Sequence, residues 1–188
     1  MFTQAMKRIQ EERGSRAAYA RMEERGALRT TIDDDLAAFI AEQRSFFLAT
    51  ASAEGQPYIQ HRGGPPGFLR VLDEQTLAFA DFRGNRQYMS LGNLSENPKV
   101  HLFLIDYAER ARVKIWGEAR VVTDDPDLVE SLVVPGYRAK AEQAMVIRVT
   151  SWDANCPQHI PQLVDAELLA ERDAKIAALE AELRALRT

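Results

Sequence analysis

Residues 81–94, DFRGNRQYMSLGNL, join a strand pattern to a helix pattern, and the rest of the chain is arranged around them. The apolar run 76–80 that precedes them predicts a β-strand. Within the stretch, Tyr88, Leu91 and Leu94 recur at helical spacing and predict one apolar helix face. The sequence therefore predicts a strand, a basic loop and a short helix in succession.

The junction between these two elements is rich in groups that can bind an anion. Its basic and polar members are Arg83, Gly84, Asn85, Arg86, Ser90 and Asn93. Guanidiniums offer planar forks that match phosphate oxygens, a glycine lets the backbone approach closely, and a helix start adds free amides. A solvated turn whose arginines face water is the alternative, since one glycine in a basic turn is weaker evidence than a Walker-type loop.

Composition limits the class of protein. The chain has 188 residues, enough for one domain with a sizeable core and an appended helix. A net charge of -4 argues against a general nucleic-acid surface, and no apolar run is long enough to span a bilayer. No apolar segment follows Lys7 and Arg8, so we expect no signal peptide. The single cysteine, Cys156, excludes an internal disulfide, and we expect a cytoplasmic protein.

The chain divides into three parts. Residues 1–30 are charged and helix-prone and predict an arm that packs on the main domain or on a partner subunit. Residues 31–161 form the main domain. Residues 162–188 predict a C-terminal helix whose large apolar side chains follow a 3-4 spacing. That helix is either a short two-stranded coiled coil or a helix packed on the domain, and we expect it to contribute a dimer contact.

The main domain is predicted to be rich in strands. Apolar and alternating runs predict strands at 46–52, 57–62, 68–73, 76–81, 99–106, 110–123 and 145–152. In the second of these, alternation places Tyr58, Gln60 and Arg62 on one side. The loop 63–67, GGPPG, cannot continue a ladder, and it suits either close approach to a flat ligand or a plain surface loop.

Histidine and cysteine give little evidence of metal or thiol chemistry. His101 lies inside an apolar strand and is expected to be structural. Cys156 and His159 are three residues apart, but no second cysteine completes a zinc set and no thiol-enzyme motif is present. We therefore expect no metal, and a structural loop there in which His159 contacts a ligand edge or a substrate.

These motifs together resemble the FMN-binding split-barrel proteins, and in particular the branch related to pyridoxamine 5'-phosphate oxidase. The matching segments span roughly residues 31–161: 60–68 (QHRGGPPGF), 77–81, 84–86 (GNR), 90–94 (SLGNL), 96–98 (ENP), Trp116-Gly117 and 155–160. The resemblance implies a β-rich α+β fold, a six-stranded antiparallel split β-barrel with flanking helices that dimerises. It also implies FMN held in clefts between the two subunits.

The resemblance also assigns roles to matching residues. Arg62 and the Gly63-Gly64 backbone would lie along the isoalloxazine and ribityl chain, with Arg62 near the ring's N1 side. Asn85, Arg86 and Ser90 would hold the phosphate or ribityl hydroxyls. The remaining candidates for cofactor binding are His61, Arg83, Asn93, Trp116 and His159, with Trp116 packed beside the flavin.

Two departures from true pyridoxamine phosphate oxidases leave the substrate open. The loop 82–86 replaces a compact Ser-Arg-Lys-type grip, and the C-terminal Arg-x-His segment that binds the pyridoxal substrate is absent. We expect an FMN-dependent oxidoreductase that acts on an unidentified small molecule, with NAD(P)H as hydride donor and with catalytic residues unknown. The alternatives are a non-catalytic flavin- or haem-binding or sensor module, and an F420-dependent reductase.

Overall fold

Seven strands and six helices are present in the part of the chain that the computed structural model describes, namely residues 2–24, 26, 28–155, 157–164 and 166–186. The strands are β1 Ser45–Ala51, β2 Pro57–Gly63, β3 Leu69–Asp73, β4 Thr76–Phe82, β5 Lys99–Asp106, β6 Ala111–Val122 and β7 Ala141–Asn155. The helices are α1 Gln4–Glu12, α2 Arg16–Glu24, α3 Asp34–Glu42, α4 Met89–Glu96, α5 Pro126–Leu132 and α6 Ala166–Ala185. The predicted β-rich α+β class is confirmed.

The strands form one antiparallel sheet in the order β2-β1-β5-β6-β7-β4-β3. β2 lies at one edge and β4 is next to the other edge, yet Arg62 of β2 forms an ion pair with Asp81 of β4. The sheet must therefore curl until these two strands face each other, because an ion pair needs contact between the side chains. The strands are joined there by side chains rather than by a backbone ladder, which leaves a split in the barrel.

One core fills the curled sheet. Alternate residues of β1 point inward, among them Phe46 and Leu48, as the period of a strand requires. Phe46 stacks on Phe68 with ring centroids 5.7 Å apart and meets Phe79 edge-on at 5.3 Å. These aromatic contacts join β1 to β4 and to the residue before β3, so the core holds the split barrel in its curved shape.

Local sequence signals account for several element boundaries. The Asp33 carboxylate caps α3 by accepting a hydrogen bond from the Leu36 amide at 2.9 Å, and Asp125 caps α5 in the same way. Gly117 lies at an irregularity in β6, because the β6–β7 register shifts between Trp116 and Gly117. A Cβ at Gly117 would lie 2.6 Å from the Arg148 carbonyl oxygen, so this position requires glycine.

One detail of the predicted fold needs correction, and a second is not shown. The sheet has seven strands rather than six, because the short β3 adds an edge strand that pairs with β4 in the described chain. A coiled coil is not shown: α6 is a single helix, and each of its residues is exposed. A two-stranded coiled coil of α6 needs a second copy of this helix, which a single chain does not contain. The last two residues of the predicted helical segment, 187–188, lie outside the described residues.

The N-terminal arm consists of two helices that contact each other. The ring centroids of Phe2 and Tyr19 are 5.3 Å apart, and Lys7 pairs with Glu23 at 3.1 Å. The arm leads into a segment fixed on β7, where the Trp152 indole donates a hydrogen bond to the Thr31 carbonyl oxygen at 2.8 Å. Among the described residues, no helix combines the length and apolarity needed to cross a membrane.

Candidate functional site

The split between β2 and β4 forms an open groove made of two adjoining cavities. Their volumes are about 50 and 190 Å³. Both cavities are lined by the residues Gln60, Arg62, Asp81, Phe82 and Gly84. The groove therefore runs from the β2 strand across the split to the loop that follows β4, which is the basic stretch singled out from the sequence.

A buried charge cluster forms the floor of this groove. Arg62 and Asp81 form an ion pair, and their side chains are only 12% and 9% exposed. Gln143 of β7 donates a second hydrogen bond to the Asp81 carboxylate at 2.8 Å. The Arg62 Nε atom is buried and has no hydrogen-bond partner within the described chain. Arg62 thus keeps one donor that a bound polar group could satisfy.

The loop after β4 holds its arginine in an unusual backbone conformation. Arg86 and Tyr88 have φ angles of 62° and 56°, in the left-handed region that few side chains adopt. The Arg86 Nε atom donates to the Tyr88 hydroxyl oxygen at 3.0 Å, and this hydrogen bond raises the pKa of the Arg86 guanidinium. The contact orients an exposed guanidinium at the mouth of the groove.

The start of α4 lines the same groove without a side-chain cap. The side chain of its N-cap residue, Tyr88, accepts no hydrogen bond from the helix amides, so the first amides lack that partner. Ser90 in this turn is 1% exposed, and its hydroxyl donates to the Gln60 side-chain oxygen at 3.0 Å. An uncapped helix start beside a fixed guanidinium is a suitable place for an anion such as a phosphate.

The groove is not purely basic. Besides the Arg62–Asp81 pair, Glu142 of β7 also lines it and interacts electrostatically with Arg86. Each guanidinium therefore has a carboxylate nearby. This balance means that an anionic ligand must gain its affinity from directed hydrogen bonds at the helix start as well as from charge.

The structure brings six of the predicted cofactor-binding residues together along the groove. They are His61, Arg62, Gly63, Asn85, Arg86 and Ser90. Gly64 comes directly after β2, and its amide donates to the Arg44 carbonyl oxygen at 3.0 Å. A Cβ at Gly64 would lie 2.7 Å from Phe68, so a side chain there would displace the core. The contacts of all these residues with a cofactor stay predictions.

The other predicted residues lie elsewhere in the chain. Arg83 is exposed, 3.6 Å from Glu142, and Asn93 donates to the Thr50 hydroxyl at 2.9 Å, which ties α4 to β1. Trp116 stacks edge-on against His101 with centroids 4.9 Å apart. His159 is exposed on a turn that follows β7. Trp116 and His159 were expected in a cleft between two subunits, and that expectation stays a prediction.

Among the polar groove residues that sequence reasoning left out of the candidate set are Tyr58, Gln60 and Asp81, and it also left out Gln143, which bonds Asp81. The alternation in β2 had placed Tyr58 and Gln60 on the same side as Arg62, so that pattern could have included them. A carboxylate at the end of an apolar strand marks Asp81. No local signal marks Gln143, because its contact with Asp81 joins residues 62 positions apart.

A separate, larger cavity lies between the N-terminal arm and the sheet. It is open, with a volume of about 820 Å³, and it is lined by apolar arm residues and by Trp116 and Lys114 of β6. No cluster of three metal-ligating side chains occurs among the residues the structure covers. Cys156, which sequence reasoning considered with His159, lies outside the described residues.

Comparison with known proteins identifies relatives for the main domain. A family model described as pyridoxamine 5'-phosphate oxidase matches residues 32–156. No curated protein matches the chain.

Solved structures share the fold at low sequence identity. HupZ from Group A Streptococcus is 18% identical with a TM-score of 0.55, over 71% of this chain and 99% of its own. A candidate pyridoxamine 5'-phosphate oxidase from Lactobacillus delbrueckii is 17% identical with a TM-score of 0.52, over 66% and 95%. An FMN-binding protein from Syntrophomonas wolfei is 12% identical with a TM-score of 0.52, over 78% and 97%.

Proposed function

The chain belongs to the pyridoxamine 5'-phosphate oxidase family, and we propose that it is a flavoprotein that binds FMN in the groove at the barrel split. One observation carries the proposal: Arg86, Ser90 and the uncapped start of α4 meet at one end of this groove. A phosphate at that point would receive a guanidinium fork from Arg86 and amides at the helix start, which are strong partners for phosphate, while the Ser90 hydroxyl holds Gln60 beside it.

The rest of the groove has donors suited to a polar, flat cofactor. The buried Arg62 Nε atom has no partner within the described chain, and a carbonyl or ring nitrogen of the flavin would satisfy it. Asn85 lines the phosphate end, beside Arg86. The small residues Gly63 and Gly84 line the groove as well, and they let a ring system approach the backbone.

The size of the groove supports a homodimer with the cofactor at the subunit interface. Its two cavities hold about 50 and 190 Å³, whereas ligand pockets usually hold roughly 300–1,000 Å³. One chain would then supply the phosphate end and part of the ring site, and a second copy would cover the rest. Trp116 and His159 would contribute from the partner's side of this cleft.

The proposed reaction is an oxidation or reduction of an unidentified small molecule. FMN, when bound, supplies the redox chemistry, with NAD(P)H as the proposed hydride donor. The protein's part is to hold the ring, to limit its contact with water, and to place the Arg62 charge beside it. Asp81 and Gln143 fix the Arg62 side chain, so they act as positioning residues.

A comparison of three ligands tests the phosphate site. Protein stripped of ligand is titrated with FMN, riboflavin and F420, and binding is followed by the quenching of flavin or deazaflavin fluorescence. We expect FMN to bind at least about tenfold more tightly than riboflavin, because a charge-assisted hydrogen bond contributes roughly 1.5–3 kcal/mol. Equal affinities would show that the phosphate lies elsewhere, and a preference for F420 would replace FMN with the deazaflavin.

A second assay separates an enzyme from a carrier. The FMN-loaded protein is mixed with NADH or NADPH without oxygen, and the absorbance of the oxidised flavin is followed. Loss of the yellow colour within seconds, and its return when air is admitted, support an oxidoreductase. A flavin that stays oxidised for hours with both nucleotides would indicate a binding module instead.

A further inference from the structure

The C-terminal helix α6 exposes apolar side chains along its whole length. Leu169, Ile176, Leu179, Leu183 and Leu186 are between 37% and 78% exposed. The ion pair of Glu167 with Arg44, at 3.7 Å, joins the first turn to the rest of the chain. A helix with this composition gains most of its stability from a packed face, so the exposed apolar side chains of α6 favour a partner helix.

The large side chains of α6 follow a heptad repeat. With Leu169, Ile176 and Leu183 at positions a, the d positions fall at Arg172, Leu179 and Leu186. Alanines occupy many other positions, and one further large apolar residue, Leu168, lies beside the seam at position g. In the middle heptad, Ile176 at a and Leu179 at d form the combination that favours two strands over three or four.

The charges beside this seam determine the direction of pairing. Lys175 falls at position g, and Glu180 at the following e, five residues later. In a parallel dimer, each g residue faces the next e residue of the partner, so the two copies form two Lys–Glu contacts. Glu182 and Arg187 repeat this spacing in the sequence, although Arg187 lies outside the described residues. An antiparallel dimer would instead bring the acidic e residues Asp173 and Glu180 together, although its g residues Lys175 and Glu182 would attract each other, so only the parallel arrangement leaves no like-charge contact at these flanking positions.

We propose that α6 pairs with α6 of a second copy of this chain as a parallel, two-stranded coiled coil. The inference extends the homodimer of the proposed function and specifies how its two C-terminal segments meet. The helix has 20 residues and is about 30 Å long, so it holds fewer than three heptads. A coil this short is marginal alone, so it adds to a dimer that the main domains form.

Site-specific cross-linking tests both the pairing and its direction. In a Cys156→Ser background, Leu169→Cys and Leu183→Cys place a thiol at either end of the seam. Ala181→Cys, at the outward f position, is the matched control. After mild oxidation of the full chain, we expect both a-position variants to form disulfide-linked dimers in high yield and the control to remain monomeric on a non-reducing gel.

Several outcomes of this experiment would contradict the proposal. An antiparallel pair can bring at most one of the two a positions next to its own copy, so a cross-link at only one end would overturn the parallel direction. Absence of cross-links at both ends, or equal cross-linking of the control, would overturn the coiled coil itself.

Charge reversal gives an independent test of the register. Lys175→Glu places two acidic residues opposite each other and should weaken self-association by about threefold, since exposed ion pairs contribute well under 1 kcal/mol each. Adding Glu180→Lys to the same chain should restore the affinity, because the opposite charges are then exchanged. A double variant that dimerises no better than Lys175→Glu would contradict this register.

The same samples distinguish failure of this inference from failure of the proposed function. FMN binding is measured on each cysteine variant by fluorescence quenching. Dimers that cross-link but bind no flavin would retain the coiled coil and remove the FMN site. Protein that binds FMN but does not cross-link at the a positions would do the reverse.

Discussion

The groove at the barrel split and the C-terminal helix differ in where their side chains find contact partners. The groove gathers Arg62, Asp81 and Gln143 from three strands and buries them in mutual contacts. By contrast, every residue of α6 is exposed, and an ion pair from its first turn joins it to the domain. A single chain therefore completes the floor of the groove, whereas α6 needs a second molecule. Substitutions in the two regions should differ accordingly in what they damage.

The largest effect is expected where a buried partner is removed from the groove. Asp81→Ala leaves the Arg62 guanidinium buried without its carboxylate, which should lower the free energy of unfolding by about 3–5 kcal/mol. Glu180→Ala removes an exposed partner of Arg184 in α6, 3.9 Å away, and should change it by less than about 0.5 kcal/mol. Urea unfolding monitored by circular dichroism measures both.

A double variant checks the cause of this loss. Arg62→Leu combined with Asp81→Leu removes both charges and should be clearly more stable than Asp81→Ala, since no buried charge is left unpaired. If the single and double variants are equally unstable, the packing of Asp81 is the cause rather than its charge.

The next effect concerns binding rather than stability. Arg86→Ala removes the guanidinium at the phosphate end and should weaken FMN binding by roughly tenfold to a hundredfold, the equivalent of one charge-assisted hydrogen bond. Arg120→Ala, which removes an exposed arginine from β6, is the matched control and should leave the affinity unchanged. If both variants lose the same FMN affinity, Arg86 acts only through the overall charge of the protein and not through a contact in the groove.

Removing α6 should leave the groove intact. A chain that ends at residue 164 should bind FMN as before but dimerise about tenfold more weakly, the equivalent of roughly 1.4 kcal/mol. Analytical ultracentrifugation over a range of concentrations measures the dimer, and fluorescence titration measures the flavin. A fully monomeric product would show that the helix, rather than the main domains, holds the dimer together.

The smallest expected effect is a pH dependence of the free energy of unfolding, which arises from His101 in the barrel. Burial, and then the nearby Lys114 charge, lower the pKa of His101 from its ordinary value of 6.5. Between that lowered pKa and 6.5 the unfolded chain binds more protons than the folded one, so stability falls as the pH falls below 6.5. His101→Gln should flatten urea midpoints measured from pH 7 down to pH 5. The chain that ends at residue 164 should keep the slope of the full chain.

Much of the fold could be predicted from the sequence because its signals are local. Alternating burial, turn residues and the Asp33 and Asp125 caps place strands and helices to within a few residues. The number of strands in the barrel was wrong because it came from the resemblance, whereas the strand patterns themselves numbered seven. Local patterns identify strands one by one, and β3 is long enough to be one of them.

The site was less predictable, since its floor depends on contacts between distant parts of the chain. The basic loop was visible as a run of neighbouring residues. The pairing of Arg62 with Asp81 and Gln143 needs the sheet to curl and close, and no local pattern reports that closure. The same reason explains why the carboxylate that neutralises Arg62 was not foreseen.

The most direct test of the account is the identity of the ligand that the protein carries when it is purified. The full chain is isolated without added cofactor, its absorption spectrum is recorded, and the ligand released by denaturation is identified by mass spectrometry. We predict a yellow protein that releases FMN in close to one equivalent per chain. A colourless protein that also takes up no added FMN, or one that releases haem or F420, would contradict the claim that the groove at the barrel split is an FMN site.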